Sequence, residues 1–150
     1  MTKSQRLRPL AKLAKDDEHS AARLMSECQR RLDLQRARLD DLRAYRQDYD
    51  NKLYTTGRSG MEAGALQRYK SFLAKLDEAI ALQVQVVERI QEEYEQKSSA
   101  WSDARARHKS LDKAVAHHRS QEVARQERRE QQQNDERAQR RRPAVKEETG

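Results

Sequence analysis

Cys28 and the four histidines, His19, His108, His117 and His118, are the side chains of this 150-residue chain best suited to nucleophilic or metal chemistry. No two of the histidines stand at i and i+4, and there is no second cysteine, so no metal site is expected. Cys28 falls on a helical stripe of apolar residues, where a cysteine acts as a small core residue rather than a nucleophile. His108 and His118 lie near the end of a second stripe and read as solvated or end-of-seam residues. The "GRSG" at 57–60 lacks the spacing and the lysine of a phosphate-binding loop. Carboxylates are many, but they interleave with Lys and Arg, as in "LDDLRAYRQDYDNK", the pattern of a solvated helix surface. Neither an enzyme nor a cofactor nor a small-molecule substrate is expected.

Composition points instead to long helices. Charged residues make up 38%, hydrophobics 35% and aromatics 5%, too little apolar material for a thick globular core. One cysteine excludes an internal disulfide and suits a reducing compartment. The start "MTKSQRLRPL" has no apolar leader core, and no stretch nears the roughly 18 apolar residues of a membrane span. A soluble, cytoplasmic protein is the expectation.

Three of the four glycines sit in "TTGRSGMEAG", residues 55–64. From Ala65 to Arg142 there are 78 residues without a Gly or Pro. Stepping by three and four from Leu66 gives Tyr69, Leu73, Leu76, Ile80, Gln83, Val87, Ile90, Tyr94, Lys97, Trp101, Ala104, His108, Leu111, Val115 and His118. That is the a/d seam of a coiled coil. Upstream, Leu10, Leu13, Ala21, Leu24, Cys28, Leu32, Leu39, Leu42, Tyr49 and Leu53 form a less regular stripe, with Asp17, Gln35 and Arg46 on or near it.

The fold class is therefore all-α: a long antiparallel two-helix coiled-coil hairpin over 1–120. Helix one is placed at about 8–54, the turn at 55–64 and helix two at about 65–120. Pro9 suits a first turn, Gly57 a left-handed helix end, and Ser59 with Glu62 a capping box. If residue 53 faces about 62, Tyr49 meets Leu66, Leu42 meets Leu73, Leu24 meets Ile90, and Leu13 or Ala14 meets Trp101. Residues 121–150 form a polar, Arg-rich tail, read as frayed helix or disorder.

Helix two carries apolar surface beyond its seam. On a helical wheel, Phe72, Ala79, Leu82 and Val86 lie roughly 80° to 160° from the seam centre at Ile80. A surface for a partner or for self-association is favoured here over shading by a supercoiled helix one, so truncating Phe72 should barely affect stability. Tyr45 and Tyr49, four apart near the turn, read equally as contact residues and as seam-edge residues.

Together these residues resemble the flagellar export protein FliJ family. The likeness rests on Leu10, Leu13 and Ala14, on "AARL" at 21–24, and on the spacing of Leu39, Leu42, Tyr45, Tyr49 and Leu53. It continues through Gly60, then Tyr69, Phe72, Leu76, Ala79 and Ile80, to Trp101. The resemblance implies a stalk-like coiled coil that engages the hexameric flagellar export ATPase, the cytoplasmic domain of the export-gate membrane protein, and flagellar export chaperones. It also implies peripheral association with the inner membrane at the flagellar base, and the hairpin itself is expected to be mostly monomeric. The family's gate contact carries over to Phe72, Leu76 and Ala79, with Gln83 here where a histidine is expected; Val86 continues that row.

Two other readings stand beside it. A stalk of a virulence type III secretion system differs only in partners. A nucleic-acid-binding coiled coil would use the Arg-rich tail and the net charge of +7. Nucleic acid is not expected, because 25 acidic residues are spread among the 32 basic ones.

Overall fold

The computed structural model describes residues 1–141 and holds two helices, α1 (Lys3–Arg58) and α2 (Ala63–Arg141). Both are rich in Ala, Leu, Glu, Gln, Lys and Arg, the residues that lose least on entering a helix. Pro9 lies in the second turn of α1, not the first, because the helix already starts at Lys3. It removes the bond that its N–H would give the Gln5 carbonyl. Thr2 caps the start instead. Its Oγ1 accepts from the Gln5 N–H, while the Gln5 side chain accepts from the Thr2 N–H, closing a capping box.

The turn is shorter than the glycine-rich stretch suggests. Gly57 stays helical, and Gly60 takes the left-handed conformation, with φ 89° and its N–H donating to the Gly57 carbonyl. A lone helical glycine costs only about 1 kcal/mol, and the last turn of α1 has offsetting contacts. Thr55 Oγ1 donates to the Asn51 carbonyl, and the Arg58 guanidinium lies over the Tyr54 ring. Ser59 donates back to Thr56 and so closes α1 rather than opening α2. The first carbonyl of α2's ladder is that of Glu62, accepting from Leu66. At the other end α2 runs on to Arg141, well past the expected limit near 120, with every side chain after Glu122 exposed. Residues 142–150 of the expected tail lie outside the described residues.

The chain forms two compact units, one of Glu18–Asp103 and one pairing Met1–Asp17 with α2 from Ala104 onward. In the first, Cys28, Leu32 and Ile90 form the core, with Val86, Val87 and Tyr94 packed against it. Leu32 is only 1% exposed, and Leu39, Leu73 and Leu76 are buried as well. The two segments run antiparallel: Cys28 meets Ile90, Gln35 meets Gln83, and Tyr49 meets Tyr69. This register is displaced by about one helical turn from the expected one. Because α1 extends to Arg58, the centre of the turn moves towards α2, and Cys28 rather than Leu24 opposes Ile90. Leu24 is 50% exposed.

The stripe of α1 is also more regular than expected. Ser4, Leu7, Ala11, Ala14, Glu18, Ala21, Met25, Cys28, Leu32, Gln35, Leu39, Leu42, Arg46, Tyr49 and Leu53 alternate three- and four-residue steps, and each is buried or half-buried. On α2, every position of the expected seam except Lys97 is likewise buried or half-buried. Leu10 and Leu13 were expected inside but are 50% and 56% exposed, one residue out of phase with the buried Ala11 and Ala14. In the second unit, Ser4 is the buried polar residue. Its N–H and Oγ both donate to the Glu122 carboxylate, at 3.1 and 2.6 Å.

Candidate partner-binding site

Phe72, Ala79 and Val86 recur every seven residues, which places them one step before the seam positions Leu73, Ile80 and Val87. In an antiparallel pair that flank faces the matching flank of the other helix, where α1 carries Tyr45, Arg38 and Arg31. The consequence is visible at Phe72. Its ring lies 4.5 Å from the Tyr49 ring and 6.1 Å from that of Tyr45, the latter edge-on at 84°. Tyr49 in turn stacks obliquely on Tyr69 at 5.1 Å.

For Phe72, Ala79 and Val86 these contacts correct the expectation that one partner helix leaves the stripe uncovered, whereas Leu82 is exposed as expected. Phe72, Ala79 and Val86 are half-buried, and Val86 packs against the Cys28–Leu32–Ile90 core. The physical cause is the flank pairing itself: bulky Tyr45 and Tyr49 reach over the interface and shade Phe72. Leu76 is buried within the seam, so it supports this surface from beneath. Gln83 is spoken for, since its amide donates to both the backbone carbonyl and the side-chain oxygen of Gln35, at 3.0 and 2.8 Å. Tyr45 and Leu82 keep large exposed faces, Leu82 at 64%.

Between Tyr45 and Gln83 the flank opens into a groove of about 540 Å³, lined by Arg38, Asp41, Leu42, Tyr45 and Gln83. Ala79, small and half-buried, continues this flank on α2. The groove has an apolar floor at Leu42, an aromatic wall at Tyr45, and a cation and a carboxylate on its rim. Arg38 and Asp41 were not singled out from the sequence. The signal was present, because Arg38 stands one heptad before Tyr45 and so shares its flank. From the seam of α1, Arg46 donates to Asp77 on the opposite flank of α2, which holds the Asp77 carboxyl below its ordinary range and raises the Arg46 guanidinium.

Residues 2–143 match the family model described as "Flagellar FliJ protein". The chain belongs to the flagellar FliJ family. No curated protein and no solved structure matched it. Membership makes it a flagellar export-related protein and fits the paired helices of Glu18–Asp103. Among the described residues, no group of three or more His, Cys, Asp or Glu is placed to hold a metal ion. Nor is any helix long and apolar enough to cross a membrane. Cys28 is buried, its Sγ directed at the Ile90 carbonyl.

Proposed function

We propose that this chain is a non-enzymatic component of the flagellar export apparatus that couples the hexameric export ATPase to the cytoplasmic domain of the export-gate membrane protein. It works as a monomer in the cytoplasm at the inner face of the membrane and also handles export chaperones. The gate contact is the flank carrying Tyr45, Phe72, Ala79 and Val86, with Tyr49, Leu76 and Gln83 holding it in shape. The observation that supports this assignment is the groove beside Tyr45. It combines an apolar floor with a charged rim, the make-up of a site that takes an apolar anchor from a partner.

The test is binding of the gate's cytoplasmic domain, followed by calorimetry. Ala79→Asp adds a charge on the flank without removing a seam residue, and should weaken binding by about 2 kcal/mol or more, as for a hot-spot change. Its melting temperature should stay close to the parent value. An Ala79→Asp protein that binds the gate normally would move the contact off this flank. In a motile strain lacking its own family member, the parent chain should restore swimming and the variant should not.

A further inference from the structure

The net charge of this protein is not spread along it. Residues 1–17 and 104–122 hold ten Lys or Arg against four Asp or Glu. Residues 18–103 hold fourteen against fifteen. The unit that pairs Met1–Asp17 with α2 therefore carries all of the net positive charge, +6 of it in residues 1–17 and 104–122, while the unit bearing the aromatic flank is close to neutral at −1. Residues 1–15 contain no acidic residue at all, and α1 has none in its first turn. Cations at that end oppose the helix dipole, so their presence there costs stability.

One stripe of this unit combines charge with exposed apolar surface. Lys3, Arg6, Leu10 and Leu13 follow steps of three, four and three, one residue ahead of the seam positions Ser4, Leu7, Ala11 and Ala14. All four side chains are exposed. The two carboxylates of the facing α2 segment are engaged elsewhere: Glu122 takes both Ser4 hydrogen bonds, and Asp112 pairs with His108 at 2.9 Å. Lys3 and Arg6 have no carboxylate partner among the described residues, the Arg6 guanidinium donating to the Met1 carbonyl. We propose that this stripe lays the start of α1 on an anionic phospholipid surface, with Leu10 and Leu13 dipping into the headgroup boundary and Lys3 and Arg6 meeting lipid phosphates.

Clusters of Lys and Arg on a helix with an apolar edge are read by anionic bilayers, whose surface potential attracts each cation separately. A nucleic acid fits less well. This unit has no Phe, Tyr or Trp within 1–17 or 104–141 on which bases could stack, and a polyanion leaves Leu10 and Leu13 without a role. The contact is independent of the gate-binding flank, which lies in the other unit.

The test is flotation of the full chain with vesicles of phosphatidylcholine containing about one third phosphatidylglycerol, against vesicles of phosphatidylcholine alone. Binding is expected to the anionic vesicles only, and it should fall as salt is raised. Lys3→Gln with Arg6→Gln should lower partitioning roughly 25-fold, about fivefold for each cation. Leu10→Ser with Leu13→Ser should also lower it, whereas Lys70→Gln with Lys75→Gln in the neutral unit should not. Circular dichroism confirms that each variant stays helical. Equal binding to both vesicle types, no binding to either, or indifference to the leucine pair overturns the proposal. Loss on the lysine and arginine changes alone, matched by the same loss towards a single-stranded oligonucleotide, would mark a general polyanion surface and also overturns it.

Discussion

Ser4 and Glu122 are locked together by two hydrogen bonds, one from the Ser4 N–H at 3.1 Å and one from its hydroxyl at 2.6 Å. Glu122 thereby satisfies one of the free N–H groups at the start of α1 and sets a negative charge against the positive end of that helix. No acidic residue of α1's own first turn does this, so α2 supplies the charge.

The same pair gives a pH dependence. The Ser4 hydroxyl, then the Ser4 N–H, hold the Glu122 carboxyl below its ordinary range, with Thr2 and His118 adding to the effect. A carboxyl depressed in the folded state contributes stability that is present above its unfolded pKa and is lost as pH falls through the folded one. Protection of the amides of residues 4–7 from exchange, taken relative to the intrinsic rate at each pH, should therefore fall only below the usual glutamate range. Glu122→Ala should show that loss of protection already at neutral pH, with the melting of the Cys28–Leu32–Ile90 core unchanged. Protection at residues 4–7 that ignores both changes would contradict the clamp.

The displaced register can be read from a pair of truncations. Leu32→Ala removes a side chain that is 1% exposed and should cost about 2–5 kcal/mol. Leu24→Ala, at a half-exposed position, should cost well under 1 kcal/mol by chemical denaturation. Equal costs would restore the register in which Leu24 opposes Ile90.

Gln35 and Gln83 form a polar pair inside the seam of the Glu18–Asp103 unit. Changing Gln83 alone to Leu leaves the Gln35 side chain without its partner and should destabilise by about 1–3 kcal/mol. Changing both to Leu should recover that loss. The double variant should also tolerate slipped helix pairing, since a lone polar pair in an apolar seam fixes register. Cross-linking between cysteines placed at matched and at slipped positions would detect the slippage.

Phe72→Ala separates packing from recognition. With two tyrosine rings against it, the half-buried phenylalanine should cost about 1–3 kcal/mol on truncation. That lies between an exposed and a fully buried side chain. A cost below 0.5 kcal/mol, on the order of an ordinary surface change, would mean that the tyrosines do not hold it.

The seam of α2 was legible in the sequence because a three–four alternation of apolar residues has no other stable use than burial against a second helix. The glycines announced a turn for a similar reason: Gly60 supplies a left-handed residue that other side chains take only at a cost. The seam of α1 was harder to read. Ser4, Ala11, Ala14, Glu18, Gln35 and Arg46 occupy it, and a search for large apolar residues drifts one place to Leu10, Leu13 and Leu24. Which of three glycines closes α1 was settled by contacts at its end, Arg58 over Tyr54 among them, and that choice set the register. The fate of Phe72 was likewise tertiary. A wheel of one helix shows which way a side chain points but not whether a tyrosine on the other helix reaches across to meet it. Family membership and the helical pairing were written in local periodicity. Exposure at Leu10, Leu13 and Leu82, the groove beside Tyr45 and the Ser4–Glu122 clamp depended on how the two helices meet, since each is a relation between residues far apart in the chain.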